Sequence, residues 1–177
     1  MTDLTISRRE LTLGAAALSL CACTGTPTRA DTPADTDALA AVEKTMSHTD
    51  WNALSESDWK DRLTDMEFHV LRNEGTERAG TSPLNAEKRA GTFACKGCAL
   101  PLFNSDQKYD SGTGWPSFFD VIDGAVETKI DRKLFAARTE YHCARCGGHQ
   151  GHVFEDGPRP TGLRYCNNGV ALEFIPS

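Results

Sequence analysis

The chain has no surplus of positive charge. Its 19 lysines and arginines are outnumbered by 25 aspartates and glutamates, a formal net charge of -6 over 177 residues. No basic stripe runs along it, which argues against nucleic acid as a partner. Long apolar runs are also lacking. The stretch from Leu13 to Leu20 is too short to span a bilayer as a stable anchor. There is no internal repeat apart from two Cys-x-x-Cys pairs, and nothing that argues against a monomer. What the chain does contain is 15 glycines and 8 prolines among short apolar stretches. At this length, that reads as one loop-rich, strand-rich soluble domain plus extras.

The extras lie at the amino terminus. Ser7-Arg8-Arg9-Glu10-Leu11 precedes the short apolar stretch. Paired arginines in that position resemble a twin-arginine export signal; the alternative is an ordinary secretory signal. Leu20-Cys21-Ala22-Cys23 looks like a lipobox, in which Cys23 becomes a lipidated terminus tethered to a membrane. The alternative there is plain cleavage near Ala22, giving a soluble product. From Thr24 the chain is small, polar and proline-bearing, so it cannot bury enough surface to order itself. Asp37 to Met46 reads as a short helix. The expected organisation is an export signal over 1–23, a flexible linker over 24–50 and a folded domain over 51–177. The expected location is the bacterial periplasm, free or membrane-anchored.

Within the domain, Ser55-Glu-Ser-Asp58 before Trp59 reads as a capped short helix, and Asp65 to Arg72 as a second. Met66, Val70 and Leu71 would face the core, and Gly75 would end the helix. Ser82 to Glu87 is a turn of helix. From Gly91 the pattern becomes strand and turn: Thr92 to Cys95, Ala99 to Phe103, Ala125 to Ile130, Leu134 to His142, His152 to Phe154, Leu163 to Cys166 and Val170 to Ile175. Asp131-Arg-Lys133 reads as a hairpin turn, with Phe135, Ala137, Thr139 and Tyr141 sharing one strand face. Two antiparallel sheets with peripheral helices are expected.

Cys95-Lys-Gly-Cys98 and Cys143-Ala-Arg-Cys146 have the spacing of paired metal knuckles. Together they predict one structural zinc site held by four cysteines. Each knuckle must come from a different hairpin or strand end. Four protein ligands leave no open position, so the metal's role is structural. Two disulfides are the competing reading for an exported protein.

Cys166 then has no partner. A leftover thiol beside histidines and an asparagine is a candidate nucleophile. Asn168 and Arg164 lie two residues to either side, on the same face of an extended strand, and Arg164 could favour the thiolate. Gly147-Gly-His149-Gln-Gly-His152 reads as a glycine-rich bend that turns His149 and His152 to one pocket. Trp115, on the turn Gly112-Thr-Gly-Trp-Pro, is a plausible wall for an apolar substrate group. Each has a plainer reading: a buried small hydrophobe, surface or supporting histidines, a core tryptophan.

These segments resemble the methionine-R-sulfoxide reductase B family from Trp51 to Pro176, in the same order. The matching segments are Arg72-Asn-Glu-Gly-Thr-Glu77, both knuckles, Tyr109-Asp-Ser-Gly-Thr-Gly-Trp-Pro-Ser-Phe-Phe119, Gly148-His-Gln-Gly-His-Val-Phe154, Asp156-Gly-Pro158 and Gly162-Leu-Arg-Tyr-Cys166-Asn-Asn168. The resemblance implies two antiparallel sheets held by zinc, and thiol-dependent reduction of the R epimer of methionine sulfoxide, free or in proteins. It makes Cys166 the nucleophile and, with it, His149, His152 and Asn168 the residues that bind the sulfoxide oxygen and a water. Trp115 would hold the methyl group. The chain departs from the family where many members carry a resolving cysteine, having Thr113 instead. The usual internal disulfide then cannot form, and an external thioredoxin-like thiol is expected to recycle a Cys166 sulfenic acid. A non-catalytic zinc-clipped binding module and a thiol peroxidase are the competing readings. The module has no need of Cys166 with both histidines, and the peroxidase has no need of an aromatic wall for a methyl group.

Overall fold

The structure, a computed structural model, describes residues 49–133 and 137–177. The expected export signal, nearly all of the linker with its Asp37–Met46 helix, Cys21, Cys23 and Phe135 lie outside the described residues. Two short helices open the domain. In α1 (Glu56–Arg62), the Ser55 hydroxyl accepts from the Asp58 N–H while the Asp58 carboxylate accepts from the Ser55 N–H. In α2 (Asp65–Asn73), Thr64 and Glu67 repeat the arrangement. Each reciprocal cap satisfies amides that a helix start leaves open. Glu74, in the left-handed conformation, ends α2 one residue before Gly75.

Val70 and Leu71 are buried as expected, but Met66 is 49% exposed. The helix packs through its second half, where Leu71 lies against Gly148, and Met66 sits in the first turn, short of that contact. Among the described residues, no helix is long and apolar enough to cross a membrane.

After a 3-10 turn at Pro83–Ala86, capped by Ser82, the chain forms strands. These are β1 (Gly91–Cys95), β2 (Pro101–Asn104), β3 (Lys108–Tyr109), β4 (Ser117–Phe118), β5 (Val126–Asp131), β6 (Arg138–Cys143), β7 (His149–Phe154), β8 (Arg164–Asn167) and β9 (Leu172–Pro176). They build two antiparallel sheets, ordered β2-β1-β9 and β3-β4-β8-β7-β6-β5. The fold is therefore mainly β, with peripheral N-terminal helices. Between the sheets, Phe103 stacks on Phe118 at 4.0 Å between ring centroids, and Phe93 meets Phe118 edge-on at 5.0 Å. Large aromatic area buried in this way supplies the main drive for bringing the sheets together.

Two local expectations change. β6 begins at Arg138, Ala137 before it is exposed, and Asp131 is the last residue of β5, paired with Arg138, rather than part of a turn. The segment from His149 to His152 is not a bend. It is the first part of β7, and it carries a bulge: His142 pairs with His149 and Tyr141 with Gly151, leaving Gln150 as the extra residue. Residues three apart on a regular strand face opposite sides. The inserted residue instead brings the His149 and His152 rings to 5.5 Å, edge to face.

Candidate active site

The two knuckles occupy equivalent turns. Cys95 ends β1 and Cys98 lies in the turn to β2; Cys143 ends β6 and Cys146 lies in the turn to β7. In each turn an amide four residues on donates back to the first cysteine's carbonyl, from Ala99 and from Gly147, both at 2.8 Å. That geometry needs a positive φ, 58° at Ala99 and 66° at Gly147. Only Gly147 adopts it without a side-chain penalty.

The knuckles come from different sheets and converge. All four Sγ atoms are buried and lie within 4.8 Å of one another. Cys95 and Cys146 are 3.7 Å apart, and Cys98 and Cys143 are 3.5 Å apart. A tetrahedral ion with arms of about 2.3 Å needs edges of about 3.8 Å, which this set provides. A disulfide needs about 2.05 Å, so the paired-disulfide reading does not describe these free thiols. The four cysteines form a metal site that clips one sheet to the other. Gln150 Nε2 points at the Cys95 sulfur from 3.4 Å.

Cys166 lies in β8, between Ser117 of β4 and His152 of β7. It faces a cavity of about 130 Å³ lined by Thr76, Trp115, Arg138, Gly151, His152, Phe154, Asn167 and Asn168. Of the residues singled out from sequence, Cys166, His152, Asn168 and Trp115 line this space. His149 does not; it lies behind His152, 2% exposed. Asn168 follows the end of β8 rather than continuing it, yet it still reaches the cavity.

Each histidine has its own carboxylate. The Nδ1–H of His149 donates to Glu140 Oε1 at 2.6 Å. Burial pushes the Glu140 acid up, but hydrogen bonds from His149 and His142 outweigh it and hold the group below its ordinary value. His152 Nε2 lies 2.8 Å from Asp131 Oδ2, which also accepts from Arg138 at 2.7 Å. The Lys133 amide, His152 and Arg138 hold Asp131 well below the usual carboxylate range. Asp131 is therefore ionised and His152 must donate, so its Nε2 carries the proton. Burial pushes His152 down, which makes the ring neutral at pH 7 and leaves Nδ1 as its one acceptor.

Burial also pushes the Cys166 thiol up. Arg164 and the Thr113 hydroxyl act in the opposite sense but do not overcome it. Arg164 thus favours the thiolate, as expected, but burial outweighs it. The guanidinium is committed to Asp156, with two contacts of 2.8 Å, and lies over the Phe154 ring. Thr113 belongs to a chain of hydroxyls running through Ser111 to Ser117, at 2.8 and 2.7 Å. Asn168 is held at both ends: Oδ1 accepts from the Glu77 N–H and Nδ2 donates to the Gln150 carbonyl, each at 3.0 Å. The Trp115 indole N–H donates to the Glu77 carbonyl at 3.1 Å.

Asp131, Arg138, Glu140 and Glu77 are the residues that sequence reasoning passed over. The signal for two of them was the other face of β6. Arg138, Glu140 and His142 alternate opposite Thr139 and Tyr141, and a charged face beside paired histidines is a site pattern.

A two-sheet β domain clipped by four cysteines, with one spare thiol in a cavity beside carboxylate-held histidines, is the class that fold and geometry define. Comparison with known proteins makes it particular. The SelR domain model matches residues 63–176. Peptide methionine sulfoxide reductase MsrB of Leptospira interrogans is 50% identical over 121 residues, 68% of this chain and 92% of that protein. The Methanosarcina barkeri protein of the same name is 53% identical over 121 residues, 68% of this chain and 85% of its own length. That of Agrobacterium fabrum is 50% identical over 123 residues, 69% and 91%. The chain belongs to the methionine-R-sulfoxide reductase B family.

Proposed function

We propose that this protein reduces the R epimer of methionine sulfoxide, free or in oxidised proteins, to methionine, with Cys166 as nucleophile. The observation that carries the reading is Cys166 itself: a free thiol, half buried, at the wall of a cavity that also presents His152 and Trp115. The Cys166 sulfur attacks the sulfoxide sulfur. The sulfoxide oxygen leaves bonded to the cysteine as a sulfenic acid, the thioether departs, and the thiol proton ends on that oxygen. Neutral His152, fixed by Asp131, offers the acceptor that ferries this proton, and His149 supports it from behind. The Trp115 face meets the methyl group and Asn168 closes the side beyond Cys166.

Recycling falls to an external thiol, because Thr113 rather than a cysteine touches Cys166. A thioredoxin-like thiol attacks the sulfenic sulfur, releases water and leaves a mixed disulfide, which its second thiol resolves. Zinc is the ion that a closed set of four thiolates takes, and it acts in the fold rather than in the reaction. The same reading has a monomer exported to the periplasm by residues 1–23. It rests on Arg8, Arg9 and the short apolar stretch, with a membrane tether if Cys23 is lipidated.

The test is turnover of separated R and S epimers of blocked methionine sulfoxide by the full chain, beside Cys166→Ser, with dithiothreitol as reductant. R-only turnover that vanishes in the variant is expected. Absence of turnover by folded, metal-loaded protein would sink the reading and favour a binding module.

A further inference from the structure

Two of the cavity's walls, Trp115 and Asn168, come from distant parts of the chain and meet at the backbone of one residue, Glu77. The Glu77 carbonyl accepts the Trp115 indole N–H at 3.1 Å, and the Glu77 N–H donates to Asn168 Oδ1 at 3.0 Å. The strap that carries Glu77 also grips the Trp115 turn directly, through the Gly80 N–H on the Gly114 carbonyl at 2.7 Å. Thr76, next in the chain, lines the cavity.

The Glu77 side chain runs away from the cavity. It is 4% exposed, and its carboxylate accepts from the backbone N–H of Gly169 and, at 3.3 Å, of Val170. Those amides directly follow Asn168. The seat is tight: a Cβ on Gly169 would lie 1.9 Å from the Ser82 hydroxyl and 3.2 Å from Glu77 Oε1. A carboxylate answers two N–H donors with two acceptor oxygens and no donor of its own. The proposed reaction gives this buried acid no chemical part.

We propose that Glu77 is a positioning residue for the sulfoxide pocket. Its carboxylate anchors the amides after Asn168, and its own backbone N–H and C=O thereby fix Asn168 and Trp115 relative to Cys166. The inference rests on the function proposed above, but its geometry can be read without turnover. Removing the carboxylate leaves two buried amides unanswered and frees the strap, so the pocket loosens while the Cys166 strand stays paired to its neighbours on both sides.

The experiment compares the full chain with Glu77→Ala, Glu77→Gln and Trp115→Ala, and with Trp115→Ala carrying each Glu77 change. Glu77→Ala should raise KM for blocked R-sulfoxide about tenfold. The rate of Cys166 alkylation by iodoacetamide, per folded molecule, should stay within about twofold of the parent. Glu77→Gln keeps one acceptor and should fall between the two. In the Trp115→Ala background the effect of Glu77→Ala on KM should shrink to about threefold or less, because the wall it positions is gone. Independently of turnover, the Trp115 indole N–H resonance, assigned by its loss in Trp115→Ala, should shift and exchange faster with solvent in both Glu77 variants. An unmoved indole resonance, or equal KM changes in both backgrounds, would overturn the proposal. An inactive parent would sink only the function, with the resonance still deciding the positioning. If Glu77→Ala fails to fold, Glu77→Gln carries every comparison.

Discussion

Cys166 shows why a nucleophile cannot be judged from its nearest charge alone. Arg164 stands beside it, yet burial governs the thiol and Asp156 occupies the guanidinium. Alkylation of Cys166 should therefore rise through a midpoint above the ordinary thiol value of about 8.5, and sulfoxide reduction should climb over the same range. The neighbours fix the sign of further changes. Arg164→Gln removes a group that favours the thiolate, so the midpoint should move up. Asp156→Asn removes an opposing charge and frees the guanidinium, so it should move down. A pH series of iodoacetamide labelling reads all three proteins; movement in the opposite directions would refute the assignment. At this scale the sequence was informative about residues whose chemistry is unusual for their surroundings, such as a fifth cysteine. It was silent on Asp131, Glu140 and Glu77. Ordinary carboxylates become meaningful only when strand pairing or a crossing strap sets them against His152, His149 and the amides after Asn168.

Among elements, the helices were legible because their signals are local. Ser55 with Asp58 and Thr64 with Glu67 state their own caps, and Ser55→Ala or Thr64→Ala should each cost about 1 kcal/mol, read as a lower urea midpoint at unchanged slope. The β7 bulge was not legible. Glycines around His149 and His152 suit a bend equally well, and only the register with β6 shows that Gln150 is an insertion. Gly151 has a specific reason to lack a side chain there, since a Cβ would sit 1.9 Å from the Cys166 carbonyl oxygen. Backbone, not a movable side chain, is in the way. Gly151→Ala should thus cost on the order of 2 kcal/mol or more and lower kcat together with stability, because it pushes the nucleophile's strand off its partner. Retained activity with wild-type stability would mean that the β7–β8 approach is looser than the geometry indicates.

Across the whole molecule, the four-cysteine clip joins the β1–β2 turn to the β6–β7 turn, and so one sheet to the other. The architecture was foreseeable from two knuckles 44 residues apart, since such spacing forces separate hairpins to meet. Which strands lie side by side was not, because pairing β8 between β4 and β7 depends on contacts distant in sequence. Cys143→Ser should abolish stoichiometric metal binding and lower Tm on the order of 10 °C or more, measured by metal analysis and thermal melting of the same sample. An unchanged melt would separate the cluster from the fold's stability. The two kinds of sulfur also differ in access: the four clipped cysteines are buried, and Cys166 is partly open. A stray oxidant therefore meets first the one sulfur whose oxidation the proposed cycle undoes, and only later those whose oxidation would spring the halves apart. Corrosion is steered toward the renewable part, so the enzyme's surroundings can grow harsh well before its scaffold begins to rust.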